Sequence, residues 1–152
     1  MNQTTAKIKV FDASCMPGSG EREKIIDFLL ENLEEYGDPR PEIAQAVAYA
    51  LGETSRLGGY ILTAYDGENL HGAVVINRTG MADYIPENML VYIATDKRYR
   101  GKGIGGNLLG KAIEITGGSI ALHVEPRNPA RFLYEKMGFT NKYLEMRHKR
   151  ED

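Results

Sequence analysis

Arg100-Gly101-Lys102-Gly103-Ile104-Gly105 is the stretch of this chain best suited to holding an anion. It lies between an apolar run, Leu90 to Thr95, and a helical pattern that begins at Ile104. Three glycines within five residues free the main chain of Cβ atoms where a strand turns into a helix. N–H groups there can approach a ligand closely. The first helical turn adds the positive end of its dipole, and Arg98, Arg100 and Lys102 add full charge. The sum suits a phosphate or pyrophosphate. Glycine turns before helices also serve close packing, and the loop by itself does not separate the two uses.

The elements that must position this loop follow from periodicity. Lys7 to Phe11 alternates as a half-buried strand. Ser19 is placed to cap a helix over Glu21 to Tyr36, whose Ile25, Ile26, Phe28, Leu29 and Leu33 recur at helical spacing. Gly37-Asp38-Pro39 stops it, and Pro41 suits the first turn of a second helix carrying Ile43, Val47 and Leu51. Strands Tyr60 to Tyr65 and Ala73 to Ile76 flank the turn Asp66-Gly67-Glu68-Asn69. After a polar connection comes the strand Met89 to Thr95, then the glycine loop and a helix from Ile104 to Ile115 closed by Gly117-Gly118. Ile120 to Val124 reads as a short strand. Asn128-Pro129 opens a short helix that Gly138 ends, and Phe139 with the alternating tail Tyr143 to Arg147 is expected to complete the sheet. The order predicts one α/β (α+β) domain over 1–152, with a mixed, mostly antiparallel sheet and one βαβ crossover around the loop.

Composition narrows the class. The 152 residues suffice for one domain with a real core, and 42% apolar with 26% charged content is that of an ordinary globular chain. A formal net charge of −2 gives no basis for a nucleic-acid partner, although Lys97 to Lys102 is locally basic. The single cysteine, Cys15, cannot form an internal disulfide, and with three scattered histidines it makes no metal-ligand spacing. The N-terminus is polar and no run approaches a membrane span, so a cytoplasmic protein without a membrane partner is expected.

A second segment changes the weight of the first. Leu122-x-Val124 followed by Asn128-Pro129-Ala130-Arg131-Phe132-Leu133-Tyr134-Glu135-Lys136-Met137-Gly138-Phe139 resembles one hallmark of the GNAT superfamily of acyl-CoA-dependent N-acetyltransferases. Arg100 to Gly105 fits the Arg/Gln-x-x-Gly-x-Gly/Ala signature of the same family. One helix plus one strand separates the two segments, as in the family, and the resemblance covers Ile8 to Arg147. It departs where many relatives carry Val-x-Pro ahead of the loop; this chain has Thr95-Asp96-Lys97.

The resemblance implies helices on both sheet faces and a splay between the fourth and fifth strands. Acetyl-CoA is then the expected cosubstrate. Main-chain groups of Arg100, Gly101, Lys102, Gly103, Ile104, Gly105 and Gly106 would hold its pyrophosphate. The pantetheine arm would pair with the main chain of Ile93, Ala94 and Thr95, and an N–H near Ala94 or Thr95 would meet charge developing on the thioester oxygen. Asn128 can cap its helix and also offer an amide to the cofactor. Tyr134 on its own could be mere packing; at this motif position it implies a general acid for the leaving thiolate.

The base is less defined. Glu125 follows the end of its strand, near where the thioester should sit, and can be a base or a solvated turn residue. His123 reads as structural, and water could carry the proton instead. The family's acceptor pocket maps to Tyr36 to Pro41 and Arg78 to Asn88, where Asp83, Tyr84 and Glu87 could hold a cationic amine or simply form a polar loop. A small-molecule or peptide amine is the expected partner, and the resemblance is compatible with a homodimer. A non-catalytic acyl-CoA-binding module of the same fold is the alternative. A nucleotide site built on the loop alone lacks the Gly-Lys-Ser/Thr ending that such sites need.

Overall fold

Gly67 turns the chain at φ +66° between β2 (Gly59–Asp66) and β3 (Asn69–Arg78), the hairpin at the centre of the sheet. Ile61, Leu62, Ala73, Val74, Val75 and Ile76 are fully buried, because both faces of these strands are covered. β1 (Lys7–Phe11) flanks β2, and β4 (Asn88–Thr95) flanks β3. β5 (Ile120–Leu122) closes the order β1-β2-β3-β4-β5. Every neighbouring pair is antiparallel except β4 and β5, which run parallel through the crossover helix α3 (Ile104–Ile115). The structure is a computed structural model and describes residues 6–54 and 57–151.

Helices cover both faces, as expected. α1 (Ser19–Asn32) and α2 (Arg40–Ala50) pack Ile25, Leu29, Ile43 and Val47 against Ile61, Ala73, Val75, Tyr92 and Ala94. On the other face, α3 and α4 (Ala130–Lys136) bring Ile104, Leu108, Leu109, Ala112 and Tyr134 onto Leu62, Val74, Ile76 and Leu90. α3 sits close to the sheet. A Cβ at Gly72 would fall 2.6 Å from Leu108 Cδ1 and 2.9 Å from Ile104 Cγ2, so only glycine admits the helix at that depth.

Several boundaries differ from expectation. α1 stops at Asn32, and a separate 3₁₀ turn, Glu34–Tyr36, follows, with Glu34 at φ +55°. Gly18, rather than Ser19, occupies the N-cap position. β3 is longer than its apolar centre, because its polar ends find ladder partners in β2 and β4. The predicted strands at Phe139 and at Tyr143 to Arg147 do not form. Tyr143, Leu144 and Met146 are 78%, 84% and 89% exposed. Alternation suits a half-buried strand, but it stabilises nothing until a neighbouring edge accepts its hydrogen bonds.

Candidate functional site

β4 and β5 pair at Asn88–Ile120, Met89–Ala121 and Leu90–Leu122. β4 continues to Thr95, so from Val91 onward its β5 side is unpaired among the described residues. The expected splay is therefore present, with β5 ending at Leu122 rather than Val124. The β3 side carries the cause of a local twist. Tyr92 lies opposite Val75 and Leu90 opposite Ile76, leaving Val91 as the extra residue of a β-bulge. Val91 and Tyr92 consequently both pack toward α1 and α2, whereas Leu90 and Ile93 pack toward α3.

The closed end of the splay is pinned by side chains. Asn88 Nδ2 donates to the carbonyls of Gly117 and Ser119 at 2.7 and 3.3 Å. The Ser119 N–H donates to Glu87 Oε1 at 2.8 Å, and this bond holds the Glu87 carboxyl below its ordinary pKa. Glu87, a candidate for the acceptor loop, is thus engaged in anchoring β5. Tyr84, a second candidate there, is 81% exposed.

The glycine loop serves both uses that the sequence left open, at different residues. Gly101 and Gly103 adopt φ +82° and +84°, with open space where a Cβ would stand. Their requirement is conformational. Gly103 is the N-cap of α3 and supplies no side-chain cap, so the first-turn N–H groups of Ile104, Gly105 and Gly106 are left for another partner. Gly105 is a packing glycine: its Cβ would meet Leu133 Cδ2 at 3.3 Å and Thr95 Oγ1 at 3.5 Å. That contact also locates the Thr95 hydroxyl, against the first turn of α3.

Most of the loop's cations are already paired. Asp96 accepts from the Arg98 N–H at 2.9 Å and from its guanidinium at 2.8 and 3.2 Å. Arg98 holds the Asp96 carboxyl down to about 2. Arg100 donates to the carbonyls of Asn32 and Thr95 and to Glu34, at 2.9, 3.3 and 3.1 Å. Lys97 also approaches Glu34, at 3.7 Å. Lys102 forms no ion pair among the described residues, which leaves it as the loop cation available to a ligand.

Across the splay, Tyr134 is 7% exposed, packs on Phe139 with ring centroids 5.9 Å apart, and is pushed up to about 12 by burial. No group among the described residues hydrogen-bonds its hydroxyl. That oxygen is nevertheless not one of the sealed, unpartnered polar atoms, which are Thr63 Oγ1, both ring nitrogens of His71 and Asn77 Oδ1. Asn128 Oδ1 accepts from the Ala130 N–H at 2.9 Å, so the amide closes an Asx turn onto the first residue of α4 and keeps its Nδ2 donors free. Glu125 is exposed in the turn after β5, where its carbonyl accepts from the Asn128 N–H at 2.9 Å. Its charge is felt by Tyr36, whose pKa is raised by burial and then by Glu35 and Glu125.

The roles of two residues escaped the sequence reading. His123 is exposed rather than structural; the buried histidine is His71, 1% exposed and stacked on Tyr99 at 3.9 Å. Asp38, read from the sequence as part of a helix stop and of the acceptor segment Tyr36 to Pro41 but with no partner assigned, accepts a 2.5 Å hydrogen bond from the Tyr92 hydroxyl. The two are 54 positions apart, and no local pattern connects them.

Comparison with known proteins fits this geometry. Residues 58–141, more than half of the chain, match the model of the acetyltransferase (GNAT) domain. Among solved structures, PH1933 from Pyrococcus horikoshii OT3 is 25% identical with a TM-score of 0.68, covering 92% of this chain and 93% of that one. A possible acetyltransferase from Clostridium difficile 630 is 18% identical at TM-score 0.68, with 97% and 98% covered. The NatC complex bound to Gag peptide and CoA contains a chain 21% identical at TM-score 0.69, with 91% and 86% covered. Comparison with curated proteins gives no match. A GNAT domain match that spans both the glycine loop and the Tyr134 helix, on a sheet splayed beside them, means that this chain belongs to the GNAT acetyltransferase family.

Proposed function

We propose that the protein transfers an acetyl group from acetyl-CoA to a primary amine by direct attack within a ternary complex. The observation that carries this reading is the succession of two donor surfaces. The unpaired edge of β4 ends at Thr95, and after the 3₁₀ turn Lys97–Tyr99 the chain enters the left-handed glycine turn and the uncapped start of α3. An extended amide-bearing arm fits the first and a pyrophosphate the second. Gly101, Lys102, Gly103, Ile104, Gly105 and Gly106 would supply the pyrophosphate donors, with Arg100 holding the loop in place. Ile93, Ala94 and Thr95 would supply main-chain partners for the arm, and Asn128 Nδ2 a further donor. The NatC complex, which contains a chain of similar fold, was crystallised with CoA bound, and this supports the same assignment.

Acetyl-CoA supplies the activated acyl carbon and the thiolate leaving group. The amine nitrogen bonds to that carbon as the carbon–sulfur bond breaks. Tyr134 Oη donates its proton to the departing sulfur, while the amine's excess proton leaves to Glu125 or to water. Burial keeps Tyr134 protonated, as a donor requires. An N–H near Ala94 faces the charge that develops on the acyl oxygen.

Release of CoA thiol over a panel of amines tests the reading. Tyr134→Phe should lower kcat by about 10²-fold or more and leave acetyl-CoA affinity nearly unchanged. Full activity in that variant removes Tyr134 from the mechanism. Tight acetyl-CoA binding without release for any amine favours the non-catalytic module.

A further inference from the structure

We propose that the acceptor amine enters through the cavity between α2 and the bulge of β4, and that this cavity selects amines carrying a second positive charge. The proposal rests on the transferase reading above and deepens it by naming the substrate class. The cavity has a volume of about 270 Å³ and is lined by Glu42, Gln45 and Tyr49 of α2, Asn77 of β3, and Val91 and Tyr92 of β4.

Its place in the fold comes from the bulge. Without the extra residue, Val91 and Tyr92 would face opposite sides of the sheet; with it, both face α2. They lie between Leu90, the last residue paired with β5, and Ile93, the first of the main-chain stretch assigned to the acyl arm. At a rise of about 3.3 Å per residue, the cavity floor is within about 10 Å of that stretch along the strand. The same irregularity that redirects β4 thus places a depression beside the end of the splay.

The chemistry of the walls sets the charge. Glu42 makes no ion pair among the described residues. Asp38 accepts from the Tyr92 hydroxyl at 2.5 Å behind it. Burial first, then Asp38 and Glu42, raise the Tyr92 phenol above its ordinary pKa, so both carboxylates bear on the same spot. The Tyr49 hydroxyl donates to the Arg78 carbonyl at 2.7 Å, leaving its oxygen free to accept.

Among the described residues, no lysine or arginine lines the cavity. Arg40, nearby in the chain, is paired with Glu23 and Asp27, and Arg78 donates to the Tyr60 hydroxyl and the Leu57 carbonyl. A wall that holds one unpaired carboxylate, Glu42, with Asp38 close behind Tyr92 and no cation, favours an ammonium group and opposes a carboxylate. The volume suits a short unbranched amine or a single side chain.

The test compares 1,4-diaminobutane, butylamine and 4-aminobutanoate, which share a chain length and differ in the far charge. CoA release should rank them in that order, with about a 10-fold or larger spread in kcat/KM between first and last. Glu42→Gln should raise KM for 1,4-diaminobutane about 3-fold, as expected for one exposed ion pair, and leave that for butylamine within about 2-fold. Val91→Phe should fill the cavity and abolish turnover while acetyl-CoA still binds. Equal or better turnover of 4-aminobutanoate overturns the proposal, as does a Glu42→Gln effect shared equally by the diamine and the monoamine. If none of the three releases CoA, calorimetric titration of 1,4-diaminobutane into the CoA-loaded protein separates the two ideas. Binding that Glu42→Gln weakens and Val91→Phe removes supports the cavity while the transferase reading fails. Absence of binding overturns the cavity.

Discussion

Arg100 donates to the main-chain carbonyl of Asn32 at 2.9 Å, which ties the glycine loop to the last residue of α1. The Arg100 side chain therefore braces the loop against a helix end whose carbonyls lack intrahelical partners. Charge for a bound phosphate must come chiefly from main-chain N–H groups and Lys102.

Arg100→Ala should accordingly cost stability as well as affinity. Losing the bonds to Asn32 and Thr95 is expected to destabilise the fold by about 1–2 kcal/mol in urea unfolding. Lys102→Ala should leave the urea midpoint unchanged and raise KM for acetyl-CoA. The proposed division of labour fails if the two variants behave alike in both measurements.

Gly103→Ala and Gly105→Ala should fail for different reasons. At Gly103 a Cβ has room but φ is +84°, so the variant is expected to lose about 1–2 kcal/mol through backbone strain. Gly103→Asn, which tolerates the left-handed region better, should recover part of it. At Gly105 the Cβ meets Leu133 at 3.3 Å; there Leu133→Ala should relieve the substitution, whereas it cannot relieve Gly103→Ala. Thermal melts of the four single variants and two doubles decide this.

Tyr134, pushed up to about 12, remains protonated through the range in which acyltransfer is assayed. A general acid loses function as pH rises through its pKa. No alkaline fall in kcat should therefore come from this residue below about pH 11. A basic limb at about pH 8–9 that disappears in Tyr134→Phe would contradict the assignment.

Asp96 gives a stability signature at low pH. Its folded-state pKa, about 2, lies below the ordinary value of 3.8 because of Arg98. The unfolded chain thus binds the proton more readily. The carboxylate's contribution is complete above about pH 4 and is lost as pH falls through about 2. Wild type should lose stability across that interval more steeply than Asp96→Asn, as measured by urea midpoints at successive pH values.

The glycine loop and Asn128 through Phe139 were legible as motifs because each depends on residue types at fixed short spacings: glycines where φ is positive, an Asx turn, and an aromatic on the core face of a short helix. The main elements from β1 to α4 were legible for the same reason, since helical and alternating periodicities are local. Chain pattern failed at the tail. Tyr143 to Arg147 alternates correctly, yet a strand exists only where an edge accepts it.

What tertiary structure alone decided is which partner each group has. The register slip at Val91, the engagement of Glu87 with Ser119, the bond from Tyr92 to Asp38 and the bracing of Arg100 on Asn32 join residues far apart in the chain. Spacing says nothing about such contacts, because they form only after the sheet and its helices have packed. The sequence by itself determined where the glycine loop and the Tyr134 helix fall in the chain. Only the packed sheet decided which of the loop's cations stay unpaired, and where beside the splay a cavity opens.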